Sequence, residues 1–132
     1  MYSVIVLSMW KVNDFLYRML EKYEKNDLIT EIILINNNID DTPVFIKEFS
    51  KLTVLNQKEN IYINPGWNLG VKEAKNEKII IVNDDIFIDN FDFLLNKIDK
   101  RLNKYNVFGP DKSCFNINSS RLFLTKLGEY QM

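Results

Sequence analysis

The chain has 132 residues, of which 46% are hydrophobic and 27% charged, enough for one compact domain with a core of its own. Its 17 basic and 18 acidic side chains almost cancel, which excludes the broad positive field of a nucleic-acid-binding domain. It has no histidine and a single cysteine. That excludes imidazole-based nucleophile systems, His-held zinc and an intrachain disulfide framework, and points to a reducing compartment. No apolar run exceeds four residues, far below a membrane span. Met1, Tyr2 and Ser3 lead straight into an apolar run without a targeting signature, so the expected location is cytoplasmic.

Short β-rich runs alternate with helical stretches. Residues 2–8 read as a strand buried on both faces. Asn13 is placed to cap a helix to about Lys25, with Leu16, Met19, Leu20 and Tyr23 at helical spacing. Residues 31–35 read as a second buried strand, stopped by Asn36, Asn37 and Asn38. Thr42 and Pro43 signal a short helix to about Ser50. A third strand is expected over 51–55. Pro65 is expected to open a helix through about Asn76. A fourth strand follows over 78–82, then a helix capped by Asp89 or Asn90 and running to about Asn103. A fifth strand is expected over 105–109. This order predicts an α/β fold, a mostly parallel sheet flanked by helices, as a single domain over 1–132. Ligands of such folds bind beyond the carboxyl ends of the strands, so chemistry is sought just after Leu7, Ile35, Leu55 and Val82.

Three strand-end features stand out. Asn83, Asp84 and Asp85 follow the fourth apolar run, where carboxylates are costly to bury unless paired or metal-bound. Strand alternation would place Asn83 and Asp85 on one side and turn Asp84 away. One carboxylate beside a neutral oxygen suits Mg²⁺ or Mn²⁺, which complete their shells with water and substrate phosphates. The competing reading is an acidic turn that caps the next helix. The second feature, Asn36 to Asp41, is either a set of Asx turns or a polar shelf for a base or ribose. The third runs from Asn60 through Gly66, Trp67 and Asn68 to Gly70. Its glycines suggest close backbone approach at a helix start, where anions are favoured, and Trp67 reads as a packing residue. Neither a Walker loop nor a dinucleotide fingerprint is present.

Taken together, in order and spacing, these features resemble the nucleotide-binding half of GT-A fold glycosyltransferases, above all the large family 2. The matching segments are Tyr2-Ser3-Val4-Ile5-Val6, Asn36 to Thr42, Asn60 with Gly66 and Asn68-Leu69-Gly70 before Ala74, and Asn83-Asp84-Asp85, within residues 2–110. The resemblance implies a short-form GT-A fold lacking most of the acceptor-binding half. It implies transfer from a nucleoside-diphosphate sugar, a UDP-sugar first, to a glycan or other hydroxyl acceptor, with Mn²⁺ or Mg²⁺ as cofactor. It implies that Ser8, Met9, Trp10, Asn36 and Asn38 surround the base, that Trp67 and Asn68 lie beside base and diphosphate, that Asn83 and Asp84 lie near ribose or sugar, and that Asp85 binds the metal.

The chain departs from the family pattern at several points. Asn36 stands where many members have Asp, Leu7-Ser8-Met9-Trp10 replaces Pro-Thr-Tyr, and Asn83 removes a negative charge. Lys126-Leu127-Gly128-Glu129-Tyr130 is similar to the segment before the acceptor region. Glu129 is its only acid and the candidate base, with tail solvation as the competing reading. The alternative function is a sugar-nucleotide-binding module that needs a partner for transfer. An open sheet edge would favour self-association. A receiver-like domain ranks lower, because no acid ends the first strand. A nucleotidyltransferase is also open, without its Gly-rich phosphate loop.

Overall fold

A computed structural model describes residues 1–102, 104 and 107–109, together with the backbone of 128–130. Asn103, Tyr105, Asn106, Cys114, Lys126 and Leu127, on which some expectations fall, lie outside these. The chain divides into two compact units, Met1–Asp85 and Ile86–Met132.

The first unit is built on a parallel sheet of order β3-β2-β1-β4, with β1 at Tyr2–Ser8, β2 at Ile29–Asn36, β3 at Leu52–Asn56 and β4 at Lys78–Asn83. The two central strands carry the core. Val4, Ile5, Val6, Ile32, Ile33, Leu34 and Ile35 are all buried, as continuous apolar runs covered on both faces should be. β3 and β4 end the sheet and are only partly covered; Ile81 in β4 is 46% exposed. The apolar run of β4 therefore overstates its burial, because among the described residues β4 has a strand neighbour on one side only.

Helix α1 (Asn13–Lys25) buries Leu16, Met19, Leu20 and Tyr23, the stripe its spacing predicts. Val12, rather than Asn13, occupies the cap position, without a side-chain bond. The helix expected after Pro43 is instead a 3₁₀ stretch, Val44–Glu48. It is held from Tyr17 of α1, whose ring lies 5.3 Å from that of Phe45 and 5.6 Å from that of Phe49. Helix α2 (Ile63–Glu73) begins two residues before Pro65. The proline thus falls inside the first turn, where a missing N–H costs no helical bond.

The connections from β1 to β2 to β3 step one way across the sheet, and the connection through α2 returns past β1 to β4. Right-handed crossovers then put α1 and α2 on opposite faces. Gly66 and Gly70 let α2 lie directly on β1. A Cβ at Gly66 would sit 2.7 Å from Leu7 Cδ2, and one at Gly70 would overlap Ile5 Cγ2. The close approach read from these glycines is real, but it is made to strand side chains.

The second unit contains α3 (Phe91–Asp99), which buries Phe91 and Leu95, and an antiparallel pair of β5 (Val107–Gly109) and β6 (Gly128–Tyr130). Asn90 stands at the cap position of α3 but makes no side-chain capping bond. β5 covers the described part, 107–109, of the fifth strand expected over 105–109.

Candidate functional site

Strand order reverses at β1: its own connection leads to β2 on one side, while β4 arrives on the other. In parallel α/β sheets, ligands bind at such a reversal, beyond the carboxyl ends of the strands, here β1 and β4. Leu7 pairs with Asn83, which sets Ser8 opposite the next residue, Asp84. The buried Ser8 hydroxyl donates to Asp84 Oδ2 at 2.6 Å and accepts the backbone N–H of Trp10 at 2.9 Å. Asp84 and Ser8 lie 76 positions apart in sequence.

This arrangement corrects the expectation from alternation. The strand ends at Asn83 and the chain turns, so Asp84 is the carboxylate drawn toward β1, while Asp85 is exposed. Burial pushes the Asp84 carboxyl above its ordinary value, and the charge of Asp85 pushes the same way. The Ser8 hydroxyl and the Met9 backbone oppose this without reversing it.

Beside this pair lies a second network, across the ends of β1, β2 and β3. Asn36 is completely buried. Its Oδ1 accepts from Trp10 Nε1 at 2.8 Å and from the Asn38 backbone at 3.1 Å, and its Nδ2 donates to Thr42 Oγ1 at 2.7 Å and Asn56 Oδ1 at 2.8 Å. An amide with two donors and one carbonyl is thereby fully engaged by the protein. Asn36, expected to face a base, instead positions the loop that follows β1. Trp10 is likewise buried, its indole N–H also reaching the Asn38 carbonyl at 3.0 Å. The Asn38 side chain donates to Asp41 at 2.7 Å. Of the residues expected around the base, Met9 is the one left exposed, at 37%.

The α2 segment is tied to the same strand ends. Asn37 Oδ1 accepts the Ile61 N–H at 3.3 Å, and Asn60 Nδ2 lies 3.5 Å from Met9 Sδ. Trp67 packs against the cluster of Leu7, Ile33 and Ile35, which supports its reading as a packing residue; its Nε1 is buried without a hydrogen-bond partner among the described residues. Asn68 is exposed. It lies about 200° around the helix from Gly66, away from β1. Thr42, Asn37 and Asn56 were missed as site residues by sequence reasoning, since their roles depend on contacts between separate strand ends. In the second unit, Glu129 lies in β6 opposite Phe108.

The sequence pattern described as glycosyl transferase family 2 matches residues 3–122. The chain belongs to that family. Among solved structures, residues 1–349 of TarS from S. aureus share its GT-A fold with a TM-score of 0.69 at 18% identity. The match covers 92% of this chain and 37% of the TarS chain, so this chain spans well under half of that neighbour's length. No curated protein matches closely enough to count as a relative. Family membership and fold thus agree with the resemblance read from the strand ends.

For a family 2 domain, the acidic turn after β4 is the place to test for a metal. Among the described residues, no group of three or more acidic, cysteine or histidine side chains forms a ready cage. Asp84 and Asp85 offer two neighbouring carboxylates whose mutual repulsion already disfavours ionisation of Asp84. Such a pair fits a hard cation that takes its remaining oxygens from phosphates and water. Among the described residues, no helix is long and apolar enough to cross a membrane.

Proposed function

We propose that this chain binds a nucleoside-diphosphate sugar, a UDP-sugar first among them, beyond the carboxyl ends of β1 and β4, and serves glycosyl transfer to a hydroxyl acceptor. The observation that carries the reading is Asp84, a half-buried carboxylate at the strand-order reversal, held by Ser8 and facing the like charge of Asp85. Asp85, with Asp84 beside it, would hold Mg²⁺ or Mn²⁺. When bound, that cation supplies charge neutralisation for a departing diphosphate. Ser8 fixes the Asp84 carboxylate through Oδ2, with the Met9 backbone as a further support, and would hold it ready for ribose or sugar hydroxyls. The Asn36–Trp10 network keeps the loop after β1 in place, which spares the ligand the cost of ordering it. Glu129 is carried forward as the candidate for taking the acceptor's proton. A reducing, cytoplasmic setting is part of the proposal and rests on the single cysteine.

The test is a titration of UDP, GDP and dTDP, with and without Mn²⁺, against the native chain and Asp85→Ala. Metal-dependent binding is expected, weakened in the variant by about tenfold or more, about 1.4 kcal/mol. Equal, metal-independent binding by both proteins would overturn the assignment. Binding without donor hydrolysis or transfer would make the chain a donor-binding module.

A further inference from the structure

Among the described residues, two other than glycine have a left-handed backbone, Trp10 with φ 63° and Tyr62 with φ 64°. Trp10 has an internal reason for its conformation. It puts a buried indole within reach of Asn36 and Asn38, and its own N–H on Ser8. Tyr62 has none. Its φ of 64° and ψ of −173° fall in a region that glycine alone enters without steric cost. Its ring is 71% exposed, and no hydrogen bond or aromatic contact among the described residues holds it. Glycine at this position would serve the backbone better, and the fold gains no packing from the ring.

Its location gives the ring a use. Tyr62 precedes the first residue of α2, and its N–H is held by Asn60 Oδ1 at 2.8 Å. Asn60 reaches Met9 at the tip of β1, and Ile61 is held by Asn37 at the tip of β2. Tyr62 is therefore carried at the carboxyl ends of the strands and linked through Asn60 to Met9, the exposed member of the residues expected around a base. Asn36 and Trp10, the other groups suited to a base, are turned inward. An aromatic ring and a thioether, both exposed and carried at the carboxyl ends of β1 and β2, suit a flat, polarisable ligand surface.

We infer that Tyr62 is a donor-recognition residue whose ring packs against the nucleobase. The inference rests on the nucleotide-binding reading above and extends it to a residue on the other side of the loop. A base contact should act on the nucleoside, whatever its phosphates and whatever metal is present. An Asp85 contact should act on the diphosphate and only with metal.

The experiment measures affinity for the tightest-binding of UDP, GDP and dTDP, and for the matching monophosphate, in native protein, Tyr62→Gly, Tyr62→Phe and Asp85→Ala, alongside Tm. Tyr62→Gly is expected to lose about tenfold in affinity for both nucleotides, with or without Mn²⁺, while its Tm does not fall. Tyr62→Phe should bind as the native protein does. Unchanged affinity in Tyr62→Gly would overturn this inference alone, as would a fall in Tm without a fall in affinity. Absence of nucleotide binding by the native protein would overturn the underlying reading with it.

Discussion

The two ends of one parallel sheet handle a carboxylate in opposite ways. At the amino end, Glu31 accepts the Ser3 hydroxyl at 2.6 Å and the Lys75 backbone N–H at 2.9 Å, with the Lys75 ammonium 3.9 Å away. Ser3 in turn accepts from the backbone and side chain of Asn76, at 3.3 and 3.0 Å. Every partner belongs to the first unit, and together they pin the return of α2 to the start of β4. At the carboxyl end, Asp84 accepts the Ser8 hydroxyl and backbone N–H groups of Met9 and its own turn, but among the described residues no cation, and it meets the like charge of Asp85. The first arrangement is complete without a ligand. The second keeps negative charge that an outside cation or hydroxyl can answer. An internally neutralised carboxylate reads as structural, and one left with like charge beside it reads as functional.

Substitution at the two ends should therefore separate stability from binding. The larger stability effect is expected at the amino end: Glu31→Ala should cost about 2 kcal/mol in urea unfolding, with nucleotide affinity unchanged once the protein is folded. A loss of binding at fixed fold would break the comparison. At the carboxyl end the sign reverses. The Asp84 carboxyl is raised, so the folded state holds its proton more tightly than the unfolded chain does. Stability from this group is present at low pH and lost as pH rises through the folded value. Asp84→Asn is thus expected to raise Tm at pH 7, with the gain fading as pH falls below the ordinary carboxylate range. The same variant should weaken nucleoside-diphosphate binding. A stability cost at pH 7 would place Asp84 with the structural carboxylates.

Much of this architecture was legible in the sequence. The apolar runs of β1 and β2 and the helical spacing of Leu16, Met19, Leu20 and Tyr23 report directly on burial, since burial imposed the pattern. The end of the sheet at which to seek a site was legible too, because parallel strands share one carboxyl end. What could not be read were choices made by contacts distant in sequence. Three successive asparagines look alike in the chain. Only the meeting of β1, β2 and β3 turns Asn36 inward onto Trp10, Thr42 and Asn56. Alternation misassigned Asp84 because it was carried past Asn83, the last residue of β4, into a turn. The short helix after Pro43 became 3₁₀ because tertiary contacts of Phe45 and Phe49 with Tyr17 outweigh a weak local signal. The backbone at Tyr62 has no sequence signature, since a tyrosine in a glycine conformation looks like any other tyrosine.

Paramagnetic broadening of backbone amide signals by Mn²⁺ reads directly which end of the sheet meets a metal-bound nucleotide. With Mn²⁺ and the bound nucleoside diphosphate present, signals of Ser8, Met9, Asp84 and Asp85 should broaden selectively, while those of Ser3, Glu31 and Asn76 at the opposite end stay sharp. Broadening centred on the amino end, or none at Asp84 and Asp85 while the nucleotide is bound, would contradict binding at the carboxyl end.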